Sequence, residues 1–162
     1  MKHIIKYKDF INEAVEQRTS AGLAIIYQGK VLLAHTAGKK FSTGYGIPKG
    51  GVDPGETLIK AARRETREEV GIKVPKALVD TNGHVFTYNG RKWGYFKTIH
   101  WFVVEIEDLS QIGLKDLVVP KSQLQLQEIN DARFMDLQTA KEVIMPSQQG
   151  VLTKLVNLGL IS

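Results

Sequence analysis

One amphipathic helix constrains the fold of this chain more than any other part of its sequence. Residues 57–70 carry apolar or small side chains at helical spacing, which predicts a narrow buried stripe on one face. Runs of β-branched and aromatic residues lie before and after this segment, at residues 23–34 and 85–106. A helix with a single buried stripe must pack against another layer, and here the neighbouring runs indicate a sheet. The stripe consists of Ile59, Ala62, Thr66 and Val70.

The first half of the chain predicts a helix and then a hairpin. Asp9 can cap a short helix that runs to Gln17. Residues 23–27 and 31–34 read as two strands around a turn that contains Gly29. Polar residues 36–42 indicate a loop. The five glycines and two prolines of residues 44–56 indicate a second, shaped loop without regular structure.

The second half predicts another β region and a helical end. Strands are expected at residues 85–88 and 95–106, with Asn89-Gly90 as the turn between them. Asp136 can cap a helix that ends at Ile144, and Ser147 can cap a final helix. The fold class predicted by this order of elements is α/β, with a mixed sheet between helices.

Composition narrows the classes of protein that remain. A chain of 162 residues suits one domain, which we place at residues 19–162 after an N-terminal helical extension of residues 1–18. The chain has no cysteine, which excludes disulfides and thiolate metal sites. No apolar run resembles a signal peptide or a membrane span, so a cytoplasmic protein without membrane contact is expected. The net charge of +5 suits anionic partners, and a solvated surface of mixed charge is the plain alternative.

Three glutamates lie on the predicted helix beside its buried stripe. At about 100° per residue, Glu65, Glu68 and Glu69 fall within an arc of roughly 100° at the edge of that stripe. Oxygen ligands next to a phosphate substrate suit Mg²⁺, with Mn²⁺ as the alternative. A solvated acidic face would explain the same three residues when they are considered alone.

The loop before the helix adds groups that suit a phosphate or a metal. Gly50 and Gly51 allow the backbone to approach a ligand closely, and Lys49 adds a positive charge. An ordinary loop between a strand and a helix also uses glycine and proline. The loop therefore indicates a functional site only when it is considered together with the helix.

Loop and helix together resemble one family. Residues Gly50–Ile72 read G-x5-E-x7-R-E-T-R-E-E-V-G-I, which is similar to the Nudix box, G-x5-E-x7-R-E-U-x-E-E-x-G-U, where U is aliphatic. Thr66 is the one departure, and it lies on the predicted buried stripe, where a small residue is tolerated. The resemblance implies a metal-dependent pyrophosphohydrolase with the Nudix α/β/α sandwich fold.

The resemblance also implies roles for the residues of the box. Glu68 and Glu69 correspond to the main metal ligands, and Glu65 to a further ligand or a base. The carbonyl of Gly50 corresponds to a backbone ligand that completes the metal shell. The supporting ion pair of the family falls on two other residues. They are Glu56 and Arg64.

Three stretches resemble the asymmetrical dinucleoside tetraphosphate hydrolases of this family. The first is Pro48-Lys49-Gly50, at the start of the box. The second is the strand at residues 96–106, which is similar to one whose lysine reaches the polyphosphate and so implies that role for Lys97. Residues 128–134 are similar to a segment whose glutamate is a base or an extra metal ligand, which implies that role for Glu128. An exposed strand lysine and a solvated loop glutamate are the plain alternatives.

The box implies the reaction class and leaves the substrate open. A small nucleotide polyphosphate such as diadenosine tetraphosphate is favoured. ADP-ribose or nucleotide sugars, oxidised nucleoside triphosphates, diphosphoinositol polyphosphates and the triphosphate end of RNA are alternatives. A nucleotide-binding module without activity is expected to lose box carboxylates, and this chain keeps them. A pure interaction protein would leave the box unexplained.

Overall fold

The computed structural model of the protein describes residues 16–90 and 94–162, apart from the side chains of residues 88–90. Short 3-10 helices at residues 76–78, 109–112, 121–123 and 146–148 connect the main elements. The strands are β1 (Glu16–Tyr27), β2 (Lys30–Thr36), β3 (Tyr45–Gly46), β4 (Lys49–Gly51), β5 (His84–Gly90), β6 (Tyr95–Ile106) and β7 (Ile129–Met135). The α-helices are α1 (Leu58–Val70), α2 (Leu137–Val143) and α3 (Gln149–Asn157).

The strands form one mixed sheet in the order β3-β2-β1-β6-β5. β1 and β6 are parallel along their whole length, whereas β2 pairs antiparallel with β1, β3 and β7. β1 pairs with β2 only at its last two residues, and residues 20–22 of β1 pair with β4 instead. The short strand β4 is therefore hydrogen-bonded to the sheet directly before the chain enters the loop that leads to α1.

Alternate residues of β1 build two separate cores, one on each face of the sheet. Ala21, Leu23 and Ile25 are fully buried and pack in the cluster that contains α1. Ala24 and Ile26 belong to the opposite cluster, which contains residues of α2 and α3. Burial on both faces makes this strand a continuous apolar run. The α/β/α sandwich and the mixed central sheet are thereby confirmed.

Helix α1 follows its sequence signals closely. The side chain of Thr57 accepts a hydrogen bond from the Lys60 amide at 3.2 Å, and Gly71 ends the helix at φ 69°. Thr66 and its neighbours on the stripe are buried, while Ile59 is half-buried. The Thr66 hydroxyl donates to the carbonyl of Ala62 at 2.8 Å, so its polar atom is satisfied inside the core.

Other elements of the prediction are also confirmed. The hairpin around residues 28–29 forms, and both residues adopt positive φ, as a tight turn between twisted strands requires. Asp136 caps α2 by accepting from the Thr139 amide at 2.8 Å. Among the described residues, the structure contains no helix with the length and apolar character needed to cross a membrane.

The predicted N-terminal helix is wrong at its end. Glu16 and Gln17 belong to β1, where residues 16–19 pair with residues 95–98 of β6. The remainder of that helix, from Asp9 to Val15, lies outside the described residues. The strand also crosses the predicted boundary at residue 18, and the extension itself stays a prediction.

Three further expectations about local structure are wrong. The loop at residues 44–56 contains the short strands β3 and β4, because sheet hydrogen bonds extend into it. Asn89 and Gly90 pair with Phe96 and Tyr95 inside the β5–β6 ladder, so these two residues are not the turn. Ser147 lies in a 3-10 helix and does not cap α3. Strand β7 was not predicted.

Candidate active site

The chain passes from β4 into α1 so that Gly50 lies against the carboxylate of Glu65. A Cβ atom on Gly50 would overlap the carboxyl carbon and both oxygens of Glu65. A larger residue at this point would therefore displace the Glu65 carboxylate. The arrangement places the Gly50 backbone and an acidic side chain of α1 in direct contact.

Arg64 donates hydrogen bonds to several acidic side chains around the start of α1. Its guanidinium donates two hydrogen bonds of 2.9 Å to the carboxylate of Glu56 and one of 2.8 Å to the carbonyl of Gly51. The same group donates to Glu65 at 2.7 Å and to Glu68 at 3.1 Å. Arg64 lowers the pKa of Glu56 to about 2, and Glu56 in turn raises the pKa of Arg64. Glu56 and Arg64 thus form an ion pair that ties the loop to the helix.

Glu69 has a different environment from the other two glutamates of α1. One oxygen of its carboxylate accepts from the backbone N–H of Lys49 at 3.2 Å. Burial raises the pKa of Glu69 to about 7, although the charge of Lys49 acts against this shift. The charges of Glu65 and Glu128 raise it further. A half-buried carboxylate with these neighbours is stabilised by any cation that approaches it.

Lys49 and Lys97 lie on the same side of the sheet as a result of strand register. Lys49 pairs with Gly22 and Lys97 pairs with Arg18, and these two β1 residues, four apart, face the same side. Burial lowers the pKa of Lys97 to about 8, and the nearby charge of Lys49 lowers it further, while Glu69 opposes the shift. The half-buried carboxylate of Glu69 lies close enough for its charge to interact with both lysines.

Glu128 lies in an exposed loop that packs next to the C-terminal half of α1. Its backbone carbonyl accepts from the Ala37 amide at 2.7 Å, and the Gln125 amide donates to the Glu69 carbonyl at 3.0 Å. These backbone bonds hold the Glu128 loop close enough for its charge to act on Glu69. The structure thus brings Glu128 together with the box residues although about sixty positions separate them in the sequence.

A small cleft opens between Lys49 and Glu69, and it contains a residue that the sequence did not indicate. Gln148 is buried, and its Oε1 accepts from the Ile47 amide at 2.9 Å. It lines the cleft together with Met145. No motif marks this glutamine, because its approach to the cleft depends on how α3 docks on the sheet.

The residues fit a hard divalent cation by the chemistry of their donors. Carboxylates and a backbone carbonyl are the oxygen ligands that such a cation prefers. Within residues 16–90 and 94–162, no three acidic or histidine side chains are already arranged to hold an ion. Glu65 and Glu68 are turned towards Arg64, whereas Glu69 is turned towards β4. Binding would require these side chains to rotate towards one another.

Several aromatic residues and one histidine have structural positions in the fold. Tyr45 and Phe134 are buried, and Tyr95 lies beneath the guanidinium of Arg18 at 4.3 Å. The side chain of Tyr88 lies outside the described residues. His84 stacks on Trp101, with 4.7 Å between the ring centroids.

A larger surface concavity, of about 490 Å³, lies away from these residues. It is lined by the 3-10 helix at residues 76–78, the end of β6 and residues that follow α3. None of the box residues contributes to it. Size alone is therefore a poor guide to the site, and the raised pKa of Glu69, which lines the smaller cleft, points to that cleft instead.

Comparison with known proteins agrees with the geometry. A family model described as the NUDIX domain matches residues 16–155. The chain belongs to the Nudix family. It is therefore a Nudix pyrophosphohydrolase, and enzymes of this family generally use a divalent metal.

Several proteins are similar to this Nudix chain. An RNA pyrophosphohydrolase of Bartonella clarridgeiae is 26% identical over 167 residues, which span 89% of this chain and 90% of the relative. The crystal structure of an Ap4A hydrolase binary complex from C. elegans has a TM-score of 0.63 at 21% identity and covers 87% of this chain and 96% of its own. A MutT NUDIX hydrolase from Burkholderia pseudomallei has a TM-score of 0.67 at 19% identity, with coverage of 86% and 98%. At these identities the two structures show the fold alone.

Proposed function

We propose that this protein hydrolyses a phosphoanhydride bond in a nucleotide polyphosphate and uses Mg²⁺ as its cofactor, with Mn²⁺ as an alternative. The observation that carries the proposal is the placement of Lys49 and Lys97 around the half-buried carboxylate of Glu69. Two cations next to a carboxylate suit a bound metal and the polyphosphate chain that it accompanies.

The proposed metal ligands are the three glutamates of α1 and a backbone carbonyl. Glu65, Glu68 and Glu69 would supply carboxylate oxygens, and Gly50 would supply its carbonyl from β4. When bound, the cation supplies charge neutralisation at the phosphates and lowers the pKa of a water molecule. Arg64 would then hold Glu56 and the loop in place while it releases Glu65 and Glu68.

The remaining roles fall on residues that touch the substrate or the attacking water. Lys49 and Lys97 would bind phosphate oxygens, where a cation is most valuable because negative charge increases as the bond breaks. Glu65 and Glu128 are the two candidates for the base that removes a proton from the water. Glu128 is exposed and therefore free to reach a substrate, whereas Glu65 is held close to β4.

The proposed substrate is a dinucleoside tetraphosphate such as diadenosine tetraphosphate. Support comes from the resemblance of the strand that bears Lys97 and of the segment that follows Glu128 to enzymes of that class. The triphosphate end of RNA is the second candidate. An RNA pyrophosphohydrolase that is 26% identical to this protein, in an alignment that covers 89% of the chain, favours this candidate.

The test incubates the purified chain with Mg²⁺ or Mn²⁺ and four substrates: diadenosine tetraphosphate, ADP-ribose, an oxidised deoxyguanosine triphosphate and a triphosphate-ended RNA. Glu69→Gln is the inactive variant, and Glu142→Gln, an exposed glutamate on α2, is the matched control. Formation of ATP and AMP as the fastest reaction supports the tetraphosphate. Faster conversion of RNA to its monophosphate form supports the second candidate. Hydrolysis of none of the four by the wild-type chain would refute the proposal.

A further inference from the structure

The helix that carries the glutamates has a third face, which is basic. With Glu65 at zero, the glutamates occupy roughly 300° to 40° and the buried stripe roughly 60° to 140°. Lys60, Arg63 and Arg67 fall at roughly 160° to 220° on the same helical wheel. These three cations and Lys73, just after the helix, line one surface groove together with Val74 and the Glu56–Arg64 ion pair. We call these three cations and Lys73 the basic groove.

The charges of the basic groove are not neutralised by the protein. Lys60, Arg67 and Lys73 are exposed, and they form no salt bridge or side-chain hydrogen bond with the described residues. The charge of Lys60 acts on Glu56, but Arg64 already pairs with that carboxylate. Arg63 donates through Nε to the carbonyl of Val74 at 2.8 Å, a neutral acceptor that leaves its charge unpaired.

Unpaired cations in one groove repel one another, and a bound polyanion would remove that repulsion. The net charge of the whole chain is +5, so this groove accounts for much of the excess positive charge. Along the helix, Lys60, Arg63 and Arg67 follow at intervals of about 4.5 and 6 Å. A row of cations with this spacing suits an extended chain of negative charges better than a single small anion.

We propose that the basic groove binds the phosphate backbone of a single-stranded RNA. The proposal deepens the second candidate function, because an RNA whose 5' end lies at the glutamate face of α1 would continue around the solvent side of the helix, past Arg64, to the basic face. The groove would then act as a binding surface for nucleotides downstream of the end that is hydrolysed.

The lining of the groove favours nucleic acid over an acidic protein. Val74 is its one apolar member among the described lining residues, and aromatic side chains are absent from that set. Protein interfaces gain most of their affinity from buried apolar and aromatic anchors. Backbone binding to nucleic acid instead relies on counterion release, which needs only positive charges. Without a stacking platform, the groove would bind RNA with little preference for sequence.

The test measures binding of a twelve-nucleotide RNA that ends in a 5'-hydroxyl, by fluorescence anisotropy across a range of salt concentrations. The groove variant is K60Q/R67Q/K73Q. The control variant K115Q/K141Q/K154Q removes the same charge from exposed lysines elsewhere. Each phosphate contact contributes about 0.7 to the slope of log affinity against log salt. We therefore expect the magnitude of this slope to fall by about 2 in the groove variant. If the wild-type and variant affinities become equal at 1 M salt, the variant binds about 100-fold more weakly at 0.1 M salt.

The outcomes separate the groove from the proposed reaction, because the hydroxyl-ended RNA offers no phosphoanhydride bond. Equal loss of binding in the groove and control variants would overturn the proposal that the basic groove binds RNA. Equally tight binding of poly-glutamate at the groove would also overturn it, in favour of an acidic partner. Loss of RNA binding only in the groove variant, with hydrolysis of the tetraphosphate unchanged, would support it. If the wild-type chain binds RNA through the groove but cleaves no triphosphate end, RNA is refuted as a substrate, and the groove is still supported as an RNA-binding surface.

Discussion

Gly50 allows a direct test of whether the position of Glu65 controls catalysis. Alanine at this position would place a methyl group where the Glu65 carboxylate lies, so the carboxylate must move. Gly51 is the next residue of the same strand, and a Cβ there meets no atom within 4 Å. Gly51→Ala is therefore a matched control for Gly50→Ala. Neither substitution removes the backbone carbonyl that we propose as a ligand.

The expected cost in stability follows from the bond that the displacement breaks. Arg64 donates to Glu65 at 2.7 Å, and a charge-assisted hydrogen bond contributes roughly 1.5–3 kcal/mol. Water can replace part of it, because the Glu65 side chain is 15% exposed. Alanine also restricts the unfolded chain, which stabilises by roughly 0.4–1 kcal/mol. We therefore expect Gly50→Ala to lower the free energy of unfolding by only about 1 kcal/mol.

The expected cost in activity is larger. Misplacing a positioned group by about 1 Å can reduce the rate by about 100-fold. We thus expect kcat/KM of Gly50→Ala to fall by about 100-fold, and that of Gly51→Ala to stay close to the wild-type value. Urea unfolding and hydrolysis of diadenosine tetraphosphate would be measured on the same preparations. A folded Gly50→Ala variant whose kcat/KM lies within about threefold of the Gly51→Ala value would refute the reasoning.

Three further predictions concern single side chains. Lys97→Gln should raise KM for the tetraphosphate by at least about tenfold, because a charge-assisted contact is lost. Lys97→Arg should retain most activity, and Lys39→Gln serves as a control. Tyr45→Phe should destabilise by roughly 1.5–3 kcal/mol in urea unfolding at pH 7, because it removes a buried 2.6 Å bond to Asp131; an unchanged midpoint would contradict this. Glu56 has a pKa of about 2, below its unfolded value of about 4.3, so its stabilisation is present above that value and is lost as the pH falls towards 2. Glu56→Gln should therefore flatten the dependence of the unfolding midpoint on pH in that window, and an unaltered pH profile would count against the ion pair.

The bond between Tyr45 and Asp131 also depends on pH, because the Asp131 carboxyl must be ionised to make it charge-assisted. Burial opposes its ionisation, but hydrogen bonds from Arg133 and Tyr45 outweigh burial, and the pKa of Asp131 is lowered. The charge-assisted part of the Tyr45 bond is thus complete at neutral pH and disappears only in acid. Both Tyr45 and Asp131 are buried, so their bond is shielded from water at the point where β3 and β7 flank β2.

The sequence predicted those parts of the protein whose physics is local. Helix α1 begins at its Thr57 cap and ends at Gly71 because both signals act within one turn of the helix. The spacing of the box places Glu65, Glu68 and Glu69 on one arc, and the ion pair of Glu56 with Arg64 spans only eight residues. The ion pair that the Nudix box implies therefore forms between groups that are close in the sequence, whereas the metal-binding roles of the three glutamates stay predictions.

The predictions failed where contacts across the sheet decide the local structure. Asn89 and Gly90 have turn propensity, yet their pairing with β6 extends the strand through them. Residues 16 and 17 fit a helical pattern, but their backbone hydrogen bonds go to β6. Strand β7 has no clear alternation of its own, and its pairing with β2 determines its structure.

The sequence by itself thus determined the reaction class, through eight box residues at fixed spacing in one short segment. Only the tertiary structure decided which distant groups join them. The parallel register of β1 and β6 sets Lys97 beside Lys49, and a backbone bond from Gln125 to Glu69 brings the Glu128 loop to the helix. Gln148 reaches the cleft because α3 docks on the sheet. These contacts join residues that lie dozens of positions apart, and such contacts leave no periodic trace in a sequence.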